Sequence, residues 1–298
     1  MIFHKYHALG NDYLVLPATG SPPSPEMIRR CCDRHFGIGS DGVLWGPLAA
    51  AGSGCEDLAE RAGVSDLSGV MAGLRIFNPD GGEAEKSGNG LRIFARFLFD
   101  QGLLPENFAC LLTLGGLVEV RVLEGGRKVR VDMGRVSFQA GKIPVAGESG
   151  EVLQRRLQVE GREFVYSAAT IGNPHCVILV EQEDADPVAL ARRYGASLEE
   201  HERFPRRTNV QFMRVRDRGL VEIAIWERGA GYTLASGSSA SACAAVARRL
   251  ELVDPSVLVR APGGDLHIEL DDNFGVVLEG AVTAVAEVHA HSEMFDLD

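Results

Sequence analysis

Two serines head two look-alike stretches of this chain. EAEKSGNGLRIFARFLFD spans residues 83–100, and GYTLASGSSASACAAVARRL spans residues 231–250. Each has a polar lead-in, then Ser-Gly, then another small or amide residue, then an apolar helix. The serines are Ser87 and Ser236. Behind them come Gly88 and Asn89 in one stretch, Gly237 and Ser238 in the other. A helix N-terminus carries unpaired N–H groups and about half a positive charge. It therefore suits a carboxylate or a phosphate. Taken singly, each start reads as a helix cap, because Ser, Gly and Asn are good capping residues. Repeated, the two starts point to one anion held by two helix ends.

Further matches follow in the same order. GNDYLVL at 10–16 pairs with GNPHCVIL at 172–179, and SDGVLW at 40–45 pairs more weakly with TNVQFM at 208–213. RIFNPDGGEAEKSGNG at 75–90 pairs with AIWERGAGYTLASGSS at 224–239. The stretch from Asn11 to Ser87 is longer than that from Asn173 to Ser236. The small, acidic segment 48–70 supplies the difference and reads as an inserted surface loop with one helical turn. An ordered internal repeat implies two similar lobes facing each other, with a ligand cleft between them.

The elements that must position these residues are legible. Residues 1–6 and 12–17 read as strands around GND, and 21–35 as a helix that Ser24 caps and Pro25 opens. Residues 91–103 carry Leu91, Phe94, Phe97 and Leu98 at helical spacing. From 109 the chain turns β-rich, with a hairpin at Gly125-Gly126. EFVYSAATIGNPHCVILVE, 163–181, is strand, loop, strand. DPVALARRYGA is a helix stopped by Gly195, and 237–251 is a further helix.

The chain has 298 residues, 45% hydrophobic and 24% charged, with a net charge of −11. That is ordinary for a globular protein with a substantial core. No Lys/Arg-rich run argues for nucleic acid. No run of about 18 apolar residues argues for a membrane span, and MIFHKYHALGND lacks the apolar region of a signal peptide. A cytoplasmic location is expected. The six cysteines form no CxxC pattern, so they read as buried thiols rather than as metal ligands.

KYHALGNDYLVL, RIFNPDGGEAEKSGNG, IGNPHCVILV, HERFPRRTNVQF and WERGAGYTLASGS together resemble the diaminopimelate epimerase family. The resemblance covers most of the chain, except the 48–70 insertion. It implies an α+β fold of two pseudo-symmetric lobes, each a curved, barrel-like, mostly antiparallel sheet around a central helix. The N-terminal lobe would be 1–117 plus 287–298 and the C-terminal lobe 118–286, with the active site in the cleft. It implies inversion of an amino-acid α-carbon without a cofactor or metal, by two cysteines facing that carbon from opposite sides. The α-carboxylate would sit at Gly88, Asn89, Gly237 and Ser238. Asn11, Asn78, Asn173, Asn209, Glu227 and Arg228 would hold the amine and a polar or anionic tail. His175 of GNPH and Glu227 of ERG would join the catalytic set. Family members are often dimers, so a homodimer is the assembly the resemblance implies.

The chain departs from the family at its chemistry. Both cysteine positions are Ser87 and Ser236, and a position often filled by glutamine is Gly42. Cys243 lies about two helical turns beyond Ser236 and cannot replace the missing thiol. A thiol ionises near 8.5 and a serine hydroxyl near the 15.7 of water, a gap on the order of 10 kcal/mol. Helix dipoles at about 0.3–2 kcal/mol each do not close it. A serine pair needs a helper base, and Lys86, His175, Glu227 and Asp80 are the candidates in the motif segments. Two readings stay open: an epimerase or isomerase resembling diaminopimelate epimerase, or an inactive or divergent member that binds an amino-dicarboxylate or catalyses another proton transfer. A third, serines introduced to trap a ligand, fits poorly with the altered SGSSASACAA helix and Gly42.

Overall fold

The turn at Leu9 and Gly10, both at positive φ, folds β1 (Ile2–Ala8) back onto β2 (Asn11–Leu16). From that hairpin the computed structural model, which describes residues 1–180 and 186–295, builds the first of two units. Strand β2 runs parallel to β3 (Val43–Ala49), which is antiparallel to β4 (Val70–Phe77). Short β5 (Glu83–Ala84) and then β6 (Phe108–Thr113) pair with β4, the latter in parallel. β7 (Gly116–Leu123) and β8 (Lys128–Arg135) continue the ladder as antiparallel neighbours.

The second unit repeats this order. β9 (Arg155–Val159) and β10 (Arg162–Thr170) are antiparallel, and β10 pairs with β11 (Pro174–Leu179). β11 is parallel to β12 (Asn209–Asp217), which is antiparallel to β13 (Leu220–Glu227). β14 (Gly231–Thr233) and the parallel β15 (Ser256–Ala261) follow on β13, then antiparallel β16 (Gly264–Leu270). β17 (Gly275–Ala281) leads back to the first unit, where β18 (Thr283–His289) pairs with β1.

Parallel neighbours cannot be joined by a tight turn, and each parallel pair here has a helix between its strands. Helix α1 (Pro25–Cys32) joins β2 to β3, and Ser24 caps it by accepting from Met27 N. In the same places stand α3 (Gly88–Asp100) before β6, α4 (Pro187–Glu199) before β12, and α5 (Gly237–Arg249) before β15. Helix α2 (Ser53–Ala62) lies between the antiparallel strands β3 and β4, which need no crossover, and has no counterpart among the described residues of the second unit. The sequence expectation of one helical turn at 48–70 is corrected here. α2 buries Cys55 and Leu58 completely, with Ala59 beside them, a one-faced apolar spacing that makes it a core helix.

α3 touches β1 and β2 as well as β7, so the first sheet curves around it. α5 touches β10 to β13, β15 and β16 in the same way. Each unit is therefore a curved, mostly antiparallel sheet on a central helix. The chain divides into one unit of residues 1–132 and 280–295 and a second that begins at Met133 and ends at Glu279. The β6–β7 hairpin and the first part of β8 belong to the first unit. Glu181, at the end of the expected strand 163–181, and residues 296–298 of the expected N-terminal lobe lie outside the described residues.

Two local expectations change. Gly195 does not end its helix; α4 continues to Glu199. A Cβ at 195 would stand 2.5 Å from Trp226 Cγ, so glycine is there to admit the indole. The weak SDGVLW/TNVQFM match slips by one residue. Leu14 faces Val43 and Cys176 faces Val210, which makes Gly42, not Asp41, the counterpart of Asn209. Strand pattern alone leaves register open wherever similarity is weak.

Candidate active site

Both serines are N-caps. Ser87 has extended backbone (φ −139°, ψ 115°), and its Oγ accepts the N–H of Gly90 at 3.0 Å. Ser236 repeats the conformation (φ −145°, ψ 126°) and accepts from Ser239 N at 3.5 Å. Gly88, Asn89 and Gly90 are buried behind Ser87. Ser236 is itself 4% exposed, and Ser238 Oγ lies 3.4 Å from its Oγ. Each helix thus begins with a hydroxyl in its first turn, where the dipole favours an anion.

The asparagine of each GN turn reaches the helix start of its own unit. Asn89 Nδ2 donates to Asn11 Oδ1 at 2.9 Å, and Asn173 Nδ2 donates to Ser238 Oγ at 3.4 Å. In the first unit charges fix the amides. Arg92 Nη2 donates to Asn89 Oδ1 at 2.8 Å, and Asn11 Nδ2 donates to Asp41 Oδ2 at 2.9 Å. Arg34 bridges Asp41 and Asp12 at 2.7 Å each, and Lys5 adds a 2.9 Å contact to Asp12. Burial alone would push the Asp12 carboxyl up, but hydrogen bonds from Arg34 and Lys5 hold it below its usual range.

Arg92 was not among the residues the sequence singled out. It is fully buried in α3, its Nη1 donates to Gly88 O at 3.4 Å, and its Nε has no partner. Burial pushes its pKa down to about 9, so it is still a cation at neutral pH. A buried positive charge one turn behind Ser87 adds to the helix dipole. The one sign of it in the sequence is an arginine amid the apolar run LRIF.

The second unit holds its loop residues from below. Asn209, 5% exposed, donates to Pro174 O at 2.8 Å and accepts from Arg228 N at 3.0 Å. Glu199 of α4 accepts from Gly229 N at 2.9 Å and Trp226 Nε1 at 2.8 Å, clamping the Glu227–Arg228 turn. Arg228 is exposed, and its Nη1 donates to Arg206 O at 3.3 Å. Glu227 is half-buried at the end of β13, and Asn78 is exposed in the turn that joins β4 to β5. Sequence reasoning missed Glu199 because its role depends on α4 lying against β13.

The candidate helpers divide. His175 is fully buried, with Nε2 2.9 Å from Asn173 Oδ1 and Nδ1 3.1 Å from Gln211 Nε2. Burial pushes its pKa down to about 3, so the imidazole is neutral with both nitrogens engaged in its own unit. Lys86 Nζ donates to Asp132 O at 3.4 Å, and burial lowers its pKa. Asp80 is exposed and accepts from Gly82 N at 2.8 Å, so it shapes its own turn. The group that meets Ser87 Oγ is Tyr13, whose Oη lies 3.3 Å away. All six cysteines are free thiols; Cys243 is fully buried, and burial pushes its pKa up. Among the described residues there is no cluster of His, Cys, Asp and Glu able to hold a metal, and no helix long and apolar enough to cross a membrane.

This fold is shared with solved racemases and epimerases. A hydroxyproline epimerase from Agrobacterium vitis superposes with a TM-score of 0.66 at 18% identity, over 97% of this chain and 91% of that one. A probable proline racemase from Agrobacterium radiobacter gives 0.69 at 16%, over 99% and 94%. These likenesses define the fold class. The sequence comparisons narrow it. The diaminopimelate epimerase family model matches residues 3–139 and 167–285. Diaminopimelate epimerase 2 of Nostoc sp. is 48% identical over 300 aligned residues, covering 100% of this chain and 98% of the relative. The diaminopimelate epimerase of Methanothermobacter thermautotrophicus is 36% identical over 96% of each chain. The chain belongs to the diaminopimelate epimerase family.

Proposed function

We propose that the chain is a cofactor-independent epimerase that interconverts LL- and meso-diaminopimelate, with Ser87 and Ser236 as the two proton-bearing side chains. One observation carries this reading: each unit caps its central helix with a serine at the equivalent topological position and ties its GN-turn asparagine to the same first turn. Two such sites in a family of this kind suit an α-carbon that loses a proton to one group and gains one from another. Family membership supports the substrate.

In this reading the α-carboxylate binds at Gly88 and Asn89 and at Gly237 and Ser238, where helix dipoles and the Arg92 charge favour an anion. Asn78, Asn173, Asn209 and Arg228 address the distal amino-acid end, and Asn11 and Glu227 the amine. The network behind Asn11 and the Glu199 clamp behind Arg228 hold those groups before substrate arrives, which is where positioning gains rate. His175 enters as a neutral imidazole. A homodimer and a cytoplasmic location belong to the same reading; sedimentation tests the first.

The test is isotope exchange. Incubation with LL-diaminopimelate in deuterated water should put deuterium at the α-carbon and form the meso isomer, both read by mass spectrometry and NMR. Clear calorimetric binding without exchange would replace the enzyme by a binding module of the same pocket. Absence of binding to any amino-dicarboxylate would remove the substrate assignment.

A further inference from the structure

We propose that Tyr13 is the group through which Ser87 gives up and regains its hydroxyl proton. This rests on the reading of Ser87 as a proton-bearing side chain. A serine hydroxyl has one O–H and two lone pairs. One lone pair of Ser87 is already committed to Gly90 N at 3.0 Å. One O–H and one lone pair remain, and Tyr13 Oη at 3.3 Å faces them. When the phenol donates, the serine O–H is turned to the substrate side. When the serine donates to a phenolate, its lone pair is turned there. The pair therefore has an acid form and a base form built from the same atoms.

The site is made for that ring. Tyr13 is 7% exposed on β2, between β1 and β3. A Cβ at position 42 would stand 2.6 Å from Tyr13 Cε1 and 2.5 Å from Phe77 O. Gly42 is thus the absence that admits the phenol, and a glutamine there would take its place. The internal repeat sharpens the assignment. Tyr13 is the counterpart of His175, since each lies one residue before the matched pair Leu14 and Cys176. In the second unit that position is bonded to Asn173 and Gln211, and Ser236 Oγ is met by Ser238 Oγ instead. The two serines have different partners, and Ser87 has the one that can ionise.

The step balances. In reprotonation the carbanionic α-carbon takes the Ser87 hydroxyl proton, forming C–H and breaking O–H. The serine oxygen takes the phenol proton of Tyr13, and water reprotonates the phenolate. Deprotonation runs the same transfers in reverse from the phenolate. The negative charge then rests on a phenolate, which delocalises it into the ring, rather than on a serine alkoxide, a much stronger base.

Tyr13→Phe keeps the ring and removes the proton. Alpha-deuterium exchange should fall by about 100-fold or more in kcat, the range of a lost acid–base group, with KM within about twofold. Wild-type exchange should rise with pH toward the phenol range, and Tyr13→Phe should lose that rise. Site-specific 3-fluorotyrosine, a more acidic phenol, should move the rise to lower pH. If Tyr13→Phe exchanges like wild type while Ser87→Ala does not, this assignment fails and the reading of Ser87 stands. A slower Tyr13→Phe with an unmoved 3-fluorotyrosine profile makes the residue a packing element and overturns the proposal. A wild type without exchange removes the reading of Ser87 and the role of Tyr13 together.

Discussion

Asn89 donates to Asn11 at 2.9 Å, joining the first turn of α3 to the turn that opens β2. The amides cannot turn over at will. Arg92, a cation, selects the oxygen of Asn89, and Asp41, an anion, selects the nitrogen of Asn11. A line of alternating donors and acceptors therefore runs from a buried guanidinium to the Asp41–Arg34–Asp12 cluster. The second unit keeps the contact as Asn173 to Ser238 but replaces the charges with neutral groups, His175 and Gln211.

Asn89→Ala should therefore cost more than a surface amide. It leaves a charged donor of Arg92 and the Asn11 carbonyl without their partners, and unsatisfied groups of that kind cost about 1–3 kcal/mol each. Urea unfolding should show a loss of about 2 kcal/mol. Asn78→Ala, in an exposed turn, should stay within about 0.5 kcal/mol of wild type.

Arg92→Met separates binding from folding. Removing a buried charge ends a desolvation cost but leaves Asn89 Oδ1 without its Arg92 donor, so the two offset and stability should fall less than in Asn89→Ala. Affinity for an amino-dicarboxylate should drop roughly tenfold, the effect of losing one interaction of about 1.4 kcal/mol. Calorimetry on the folded variant reads the second effect, and thermal unfolding the first.

His175 predicts the acid limb of stability. Its pKa is pushed to about 3 in the folded chain, first by burial and also by Arg228, against the hydrogen bond from Gln211. In the unfolded chain it ionises near 6.5. Below that value the unfolded state binds a proton that the folded state does not, so stability falls as pH drops from about 6.5 toward 3. Urea midpoints should decline across this window, and more shallowly in His175→Gln.

Gly195→Ala tests the clamp beneath the Glu227–Arg228 turn. The new methyl would meet Trp226 Cγ at 2.5 Å, too close to keep the indole in place. Trp226 also donates to Glu199, which holds Gly229. Overpacking should cost about 1–3 kcal/mol, and KM should rise because Arg228 loses its support. Gly54→Ala, with neighbours no nearer than 3.7 Å, is the control.

Local signals were legible in the sequence. Ser87 and Ser236 were readable as helix starts because capping is decided by a few adjacent residues. The repeat was readable from its GN and Ser-Gly motifs. What depends on packing was not. Gly195 looked like a stop until Trp226 explained it. The register of β3 against β2 needed the ladder itself. Arg92, Glu199 and Tyr13 act through partners that lie 3 to 74 positions away in sequence. α2 was disguised by its acidic surface, although Cys55, Leu58 and Ala59 mark the buried face.

The serines themselves give the sharpest test. A helix N-terminus lowers the pKa of a cysteine thiol, and both positions have that surrounding. Ser87→Cys with Ser236→Cys should therefore gain an ionisable base and acid without a helper. Cysteine is a poorer cap, so about 1 kcal/mol of stability should be lost per helix. Alpha-proton exchange on LL-diaminopimelate should rise at least tenfold over wild type at neutral pH, because thiolate is accessible there and alkoxide is not. Alkylation by iodoacetamide should abolish the gain in the double variant and leave wild type active, since the native thiols are mostly buried. Either single variant should fall between the two. A double variant that binds substrate but exchanges no faster would show that neither serine position faces the reacting carbon, and that outcome would remove the proposed catalytic role of both.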